Sequence, residues 1–299
     1  MANRSADSAL HLLRRRDFMA AIVLAGLAES ALAVLLGVTV YEITRDPLAL
    51  GWLGLIEATP AIGLVLFGGH VADRFPRKRT VVGCRLALAV LAGGVAFAAL
   101  LPDEDFLPLL FALAFCIGAV RAFTDPAQSG LEAQVVPFLM AVQAGSLLGS
   151  TSRAFRLAAP VGGGFLYAYA GPTVAYGLIA VLLGASALVV VLFIPKRPAP
   201  TAHADTGGMV ANIGEGVRYV FSDQVLVGSM ALDLFAVFFG GVMGLLPVFA
   251  DMLGWGPQGV GIMRAAMASG ALLAMLVAVT AVVAPRLRRL DLTQLKPRE

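Results

Sequence analysis

Long apolar runs are the feature that most constrains this chain. Eight of them are long enough to cross a hydrocarbon layer of about 30 Å as helices that rise 1.5 Å per residue. They lie at residues 18–41, 49–70, 80–101, 106–127, 141–168, 173–194, 225–249 and 257–284. Only 14% of the 299 residues are charged and 59% are apolar, whereas a soluble domain has roughly 25% and 45–50%. The sequence therefore excludes a water-soluble globule and predicts an all-α, polytopic protein of the lipid bilayer.

Charged residues between the runs predict the topology. The basic groups at 14–16, 74–79 and 286–289 fall on one side of an eight-span arrangement, and the acidic residues Asp103–Asp105 and Asp251 fall on the other. Because cytoplasmic loops are enriched in lysine and arginine, we expect both termini in the cytoplasm of a bacterial cell and the spans in its cytoplasmic membrane. The net charge of +3 follows from this topology, so we expect no nucleic-acid partner.

A long polar stretch divides the chain into two parts. Residues 195–224 begin with PKRPAP and include an amphipathic pattern that predicts a short helix on the inner leaflet. We interpret this stretch as a cytoplasmic linker between a six-helix N-terminal bundle at 1–194 and the first two helices of a second bundle at 225–284. Residues 285–299 form a polar cytoplasmic tail.

A dense polar loop lies between the second and third runs, where residues 69–79 read GHVADRFPRKR. Four cations beside one carboxylate can hold the ends of neighbouring helices through charge and helix-dipole contacts. The spacing of Gly69, Asp73, Arg74, Arg77 and Lys78 resembles the cytoplasmic signature loop of the major facilitator superfamily, with a proline in place of a frequent glycine. The resemblance implies a gating loop that stabilises one alternating-access state. As an alternative, the cations only anchor helices at the membrane surface.

Further stretches resemble the branch of this superfamily that contains the bacterial enterobactin exporter and related efflux permeases. They are YEITRDPLALG at 41–51, DPA at 125–127, EGVRYV at 215–220 and LLPVFA at 245–250. In the fifth run, Pro160, Gly163 and Gly164 resemble the helix-kink element of superfamily antiporters. As an alternative, this element is only a tightly packed, kinked helix, because small residues let helices approach closely and proline frees a backbone carbonyl.

Ionisable residues within the runs are the candidates for transport and proton coupling. Charge inside the hydrocarbon layer is costly, so each such group is expected to face the bundle interior. The candidates are Glu29, Glu57, Arg121, Arg156, Asp233 and Arg264. A carboxylate in such surroundings can be protonated in one conformation and ionised in another, and an arginine can neutralise it or attract an anionic substrate. A structural ion pair is the alternative for each.

Catalytic and metal-binding patterns are absent from the sequence. The three histidines are scattered, Cys84 and Cys116 lack zinc-ligand spacing, and no phosphate-binding glycine loop with lysine is present. We therefore expect no enzyme activity, no cofactor and no metal.

These observations predict a carrier that moves a small amphipathic molecule, siderophore-like or drug-like, outward in exchange for protons. The superfamily generally has twelve spans, and this chain has eight. The alternatives are therefore a truncated, inactive fragment, a chain that needs a partner chain to complete its second bundle, and a lipid-handling carrier on the same fold.

Overall fold

A computed structural model describes the backbone of residues 2–135, 141–194, 218–239, 241–267, 269–270 and 273. Side chains are described in these ranges except at residues 2–19, 66, 70–74, 132–135, 141–157, 237–239 and 241–242. The Asp73, Arg74 and Arg156 side chains, most of the linker and the whole tail thus lie outside the described part of the chain.

The first four helices overlap the first four predicted runs, and α1 and α4 extend well beyond theirs. They are α1 (Ala2–Thr44), α2 (Pro47–Arg74), α3 (Arg77–Ala98) and α4 (Asp103–Val135). Their turns match the local sequence: α1 ends before Arg45, which adopts a left-handed φ of 51°, and Asp46 accepts a hydrogen bond from the Leu48 N–H at the start of α2. Proline begins α2 because its missing N–H has no partner in a first turn.

The fifth helix contains a reversal of the chain. Helix α5 (Ala141–Phe193) has non-helical backbone at Gly171, where φ is 81° and ψ is 171°. Its first arm, 141–170, packs against α1 near Ala31. In its second arm, 172–193, Tyr176 contacts Thr39 of α1 and Ser186 contacts Ala21 of α1. The second arm therefore runs antiparallel to α1. The predicted turn at Gly171-Pro172 is confirmed, because glycine adopts this φ without a steric penalty.

Within the described residues, five helices are long and apolar enough to cross a membrane. Because α5 reverses at Gly171, its two arms correspond to the fifth and sixth predicted runs. Leu32 of α1, Leu88 of α3, Leu110 of α4 and Tyr176 of α5 are fully buried in the bundle core. The all-α, polytopic fold predicted from the sequence is confirmed.

Large apolar side chains also cover the outside of the bundle. Ile62, Val90 and Val181 are 73%, 75% and 65% exposed. Lipid tails solvate such side chains as well as a protein core does, so packing contacts rather than water exclusion hold the helices together.

The seventh predicted span is interrupted, which corrects the expectation of one helix over 225–249. The structure has α6 (Gln224–Phe239), a 3₁₀ helix (Gly241–Leu245) and α7 (Leu246–Met252). Gly241 and Gly244 have low helix propensity, and the proline near the first position of α7 favours the start of a new helix. Helix α8 follows at 256–267, at the start of the predicted eighth run.

The turns lie alternately at two ends of the molecule. One end, which we call the Arg45 end, brings Arg45 to Asp251. The other, the Lys78 end, brings Lys78 to the last turn of α5. Helix α3 separates the turn at Arg77 from the acidic residues that begin α4, and its 22 residues span about 33 Å. The predicted separation of Arg77 from Asp103 is confirmed.

Candidate functional site

An ion pair joins two membrane-crossing helices within the first half. Arg121 Nη1 of α4 lies 3.0 Å from Glu57 Oε1 of α2, and the two side chains are 26% and 20% exposed. Close helix packing produces the pair. A Cβ placed at Gly118 would lie 2.2 Å from the Glu57 carbonyl oxygen, so only glycine lets α4 approach α2 here. Arg121 follows Gly118 by one turn and therefore reaches Glu57.

The same arginine also reaches the first helix. Arg121 Nη2 lies 3.4 Å from the Glu29 backbone carbonyl, and Glu29 is half-buried. The structure thus brings three of the predicted candidates, from three helices, to one level of the bundle. Charges that meet within spans in this way are typical of pathways for substrates or protons.

A further arginine lies inside the first half and was missed by the sequence analysis. The Arg85 side chain of α3 is 1% exposed, and its Nη2 lies 3.5 Å from Gln128 Oε1 of α4. Its position in the third apolar run, one helical turn and a half beyond the basic loop, was the available signal. An arginine there cannot reach the membrane surface as easily as Arg79, which is exposed.

Glycines form the contact between the two halves. A Cβ at Gly164 of α5 would lie 3.2 Å from the Pro257 carbonyl oxygen, and one at Gly261 of α8 would lie 3.1 Å from the Val161 carbonyl oxygen. Gly163 faces Ala31 and Leu35 of α1, and Pro160 is buried. Small residues permit this spacing between helix backbones. The element predicted at 160–164 therefore lies at the junction of the two halves.

A second contact between the halves lies at the Arg45 end. Arg45 Nη1 is 2.6 Å from Asp251 Oδ1, and the Tyr41 hydroxyl donates to Asp251 Oδ2 over 3.2 Å. The sequence analysis treated Asp251 only as a loop charge and Arg45 only as part of the stretch at 41–51. Their opposite charge on the same side of the predicted topology was the signal that pointed to a pair.

The cavity beside this pair is small. It has a volume of about 100 Å³ and is lined by residues of α1, α7 and α8, among them Glu42, Asp251 and Pro257. Pockets for drug-sized ligands have volumes of roughly 300–1,000 Å³. The cavity has room for a few water molecules but not for an amphipathic substrate, so the described residues around it leave no substrate-sized opening there.

The predicted gating loop contacts α4 and the end of α5 in the first half. Arg77 Nη1 donates to the Gly130 carbonyl of α4 over 2.7 Å. Lys78 Nζ donates to the Val191 carbonyl over 2.9 Å and also to the Ile194 carbonyl. A cation at a helix C-terminus is favourable because the last carbonyls carry partial negative charge. Gly69 is half-buried in α2.

Two other candidates, Asp233 and Arg264, make no described contact with the Glu57–Arg121 pair, and the Arg156 side chain lies outside the described residues. Asp233 is exposed on α6, as are its neighbours Leu232 and Leu234, and the expectation that it faces the bundle interior stays a prediction. The described part of the chain lays no helix over this stretch of α6. Arg264 is half-buried on α8. Within the described residues, no group of three histidine, cysteine or acidic side chains is placed to hold a metal ion.

Known proteins with similar sequences point to one family. The profile of the Major Facilitator Superfamily matches residues 18–295. Enterobactin exporter EntS of Shigella boydii serotype 4 is 26% identical over 275 residues, which cover 88% of this chain and 63% of that protein. Enterobactin exporter EntS of Shigella flexneri is 26% identical over 212 residues, 70% of this chain and 48% of that protein.

The chain spans about half to two thirds of the length of these curated relatives. The profile match covers nearly all of the chain, and its all-α bundle of membrane-crossing helices has the fold class expected of a transporter. We conclude that this chain is a membrane protein that belongs to the Major Facilitator Superfamily of transporters.

Proposed function

We propose that the chain exports a small amphipathic molecule, siderophore-like or drug-like, in exchange for protons by alternating access. The Lys78 end and both termini then face the cytoplasm, in line with the basic loops at that end. The relatives named Enterobactin exporter EntS support the outward direction and a siderophore-like substrate.

The observation that carries this proposal is the Glu57–Arg121 ion pair, 3.0 Å long between two membrane-crossing helices. Protonation of Glu57 would remove its negative charge and release Arg121, whose second nitrogen already contacts α1. A ligand or proton shifts a conformational equilibrium only when it interacts differently with the two states. The Glu57–Arg121 pair supplies such a difference. Protonation of Glu57 changes the charge of the pair, and α2 and α4, which carry the two residues, belong to the helix bundle that moves during alternating access.

The contacts at the Arg45 end support the direction of loading. Contacts between the halves at Arg45–Asp251 and at Gly164–Gly261 obstruct access from that end. A substrate of this conformer must therefore enter from the Lys78 end, and these contacts must separate before release at the Arg45 end.

Efflux from bacterial cells tests the proposal. Cells with and without the chain are loaded with enterobactin and a panel of amphipathic dyes, and retention is measured with and without an uncoupler. We expect lower retention with the wild-type chain and loss of the effect with the uncoupler or in Glu57→Gln and Glu29→Gln. Asp233→Asn is the matched control, because Asp233 is exposed away from the pair. Equal retention with and without the chain, or full efflux by both acid variants, would contradict the proposal.

A second candidate function is transport by a complex, in which this chain works only together with a partner chain that covers its second half. The observation that favours it is the exposed surface of α6, where Asp233 lies among Met230, Leu232 and Phe235, which are 59%, 74% and 61% exposed. A carboxylate in contact with lipid is costly, so a covering helix would stabilise it. Cross-linking from a cysteine placed at Leu232 tests this candidate, with Val90, exposed on α3, as the matched control position.

The same cells separate these candidates from a lipid-handling carrier. Uptake or release of a labelled lysophospholipid that depends on the chain, without efflux of siderophore or dye, would replace the proposed substrate class by lipid. Efflux without cross-linked partner would contradict the second candidate.

A further inference from the structure

Arg264, on α8, is half-buried and has no hydrogen-bond acceptor among the described residues. Its Nε is buried, and none of the described residues accepts a hydrogen bond from it. By contrast, Arg45 and Arg121 each contact a carboxylate and Arg77 contacts a backbone carbonyl. A guanidinium has five N–H donors and keeps its charge, so a half-buried one without an acceptor is costly unless a ligand supplies it.

The position of Arg264 on α8 directs it to the junction of the halves. Val260 and Gly261 are buried, and Gly261 packs against Val161 of α5. Arg264 follows these two residues by four and three positions, and residues at such spacing share one helix face. It therefore lies on the face of α8 that meets the first half, about 4.5 Å farther from the Arg45 end than Gly261.

The depth of Arg264 matches that of the ion pair in the first half. The Gly164–Gly261 crossing is level with Ala31 of α1, which the neighbouring Gly163 faces. Glu29 lies two residues from Ala31 toward the Lys78 end, and its carbonyl contacts Arg121. One turn beyond Gly261 in the same direction, Arg264 is thus near the level of Glu29 and Arg121, well inside the membrane-crossing region.

We propose that Arg264 binds the anionic group of the transported molecule, so that the substrate class is an amphipathic anion with a carboxylate, phenolate or phosphate. This inference rests on the proposed function. Guanidinium binds such groups through two parallel hydrogen bonds, which give it geometric selectivity that a lysine lacks. Because Arg264 lies at the junction of the halves, the anion would contact the second half, while the Glu57–Arg121 pair would bind and release the proton in the first half.

Binding to the purified full chain in phosphatidylcholine nanodiscs tests the assignment. The probes are 1-naphthoate and 1-naphthyl phosphate, each compared by calorimetry with neutral 1-naphthamide. Charge-assisted hydrogen bonds contribute about 1.5–3 kcal/mol, so we expect the wild-type chain to prefer the anions by about tenfold or more. Arg264→Gln should lose this preference and Arg264→Lys should keep part of it.

Arg79→Gln is the matched control, because it removes the same charge from an exposed position and should keep the preference. Unfolding temperatures in the same nanodiscs show that the variants fold. Equal binding of anions and amide by the wild-type chain, no binding of either anion, or a preserved preference in Arg264→Gln would overturn the inference.

Two further arms separate the possible sources of failure. Nanodiscs that also contain phosphatidylglycerol test a lipid headgroup as the anion. Loss of naphthoate binding there, dependent on Arg264, would overturn the assignment to a transported molecule. Efflux in cells is measured independently: anion-selective binding without efflux contradicts the proposed function alone, whereas efflux with charge-independent binding contradicts the Arg264 assignment alone.

Discussion

Arg45 and Asp251 join the two halves of the chain through a 2.6 Å contact between Nη1 and Oδ1. Arg45 is the only non-glycine residue with a positive φ in the described part of the chain, and this left-handed conformation ends α1 and turns the chain into α2. The backbone N–H of Arg45 still bonds to the Tyr41 carbonyl over 2.8 Å. Asp251 therefore accepts hydrogen bonds from Tyr41 and Arg45, which lie one helical turn apart at the end of α1.

Asp251→Asn should shift the chain toward conformers that are open at the Arg45 end. The two side chains are 60% and 43% exposed, so the pair contributes about 0.2–1 kcal/mol, which corresponds to a population change of up to about fivefold. Spin labels at the exposed residues Leu100 and Met252 report the separation of the halves. Because salt screens exposed charges, high salt should move the wild-type distances toward those of the variant. Glu104→Gln is the control at this end, and unchanged distances in Asp251→Asn contradict the prediction.

Breaking the Glu57–Arg121 pair on one side should cost more stability than removing both charges. Glu57→Gln or Arg121→Gln leaves a charge in the bundle without its partner, which costs about 1–3 kcal/mol, whereas the double variant leaves none. Unfolding in mixed detergent micelles measures the three free energies and hence the coupling between the residues. Strict additivity of the two single effects would show that the contact does not contribute to stability.

Gly118→Ala should destabilise the first half, because its Cβ would lie 2.2 Å from the Glu57 carbonyl oxygen. Helices α2 and α4 must move apart, at a cost of about 1–3 kcal/mol, and the Glu57–Arg121 distance should lengthen. Gly83→Ala is the matched control, since nothing lies within 4 Å of a Cβ placed at Gly83. Equal unfolding temperatures for the two variants contradict this prediction.

Gly164→Leu should weaken the contact between the halves, whereas Gly162→Leu should not. A Cβ at Gly164 would already lie 3.2 Å from the Pro257 carbonyl oxygen, and nothing lies within 4 Å at Gly162. The larger side chain should favour conformers open at the Arg45 end, as Asp251→Asn does. Accessibility of a cysteine at Val260, which is 2% exposed, checks this with a membrane-impermeant thiol reagent. Labelling should rise in Gly164→Leu; no increase, or an equal increase in both variants, contradicts the prediction.

Lys78→Met should loosen the last turn of α5 at the Lys78 end. The lysine donates to the carbonyls of Val191 and Ile194, and such contacts with a helix C-terminus contribute about 0.3–1 kcal/mol. Hydrogen exchange of the amides near 190–194 should quicken in Lys78→Met and stay unchanged in Arg79→Met. Unchanged exchange in Lys78→Met would mean that the lysine does not stabilise this helix end.

The sequence allowed Glu57 and Arg121 to be selected, but not paired. Each stands out as a charge in an apolar run, and 64 residues separate them. Their contact depends on the close approach of α2 and α4 at Gly118, which a single glycine in the sequence does not reveal. Arg85 was missed because a charge near the start of a run reads as a surface anchor, and only the packing of α3 shows that its side chain is buried.

Apolar run length and the alternation of charge between runs determined the membrane-crossing fold and the ends at which Arg77 and Asp103 lie, because hydrocarbon thickness sets helix length and each crossing reverses the chain. Tertiary structure alone decided which charges meet. Arg45 finds Asp251, Arg121 finds Glu57, and Arg264 reaches the junction without a described acceptor. Those outcomes depend on helix rotation and on backbone spacing at glycines, which the order of residues along one helix does not fix.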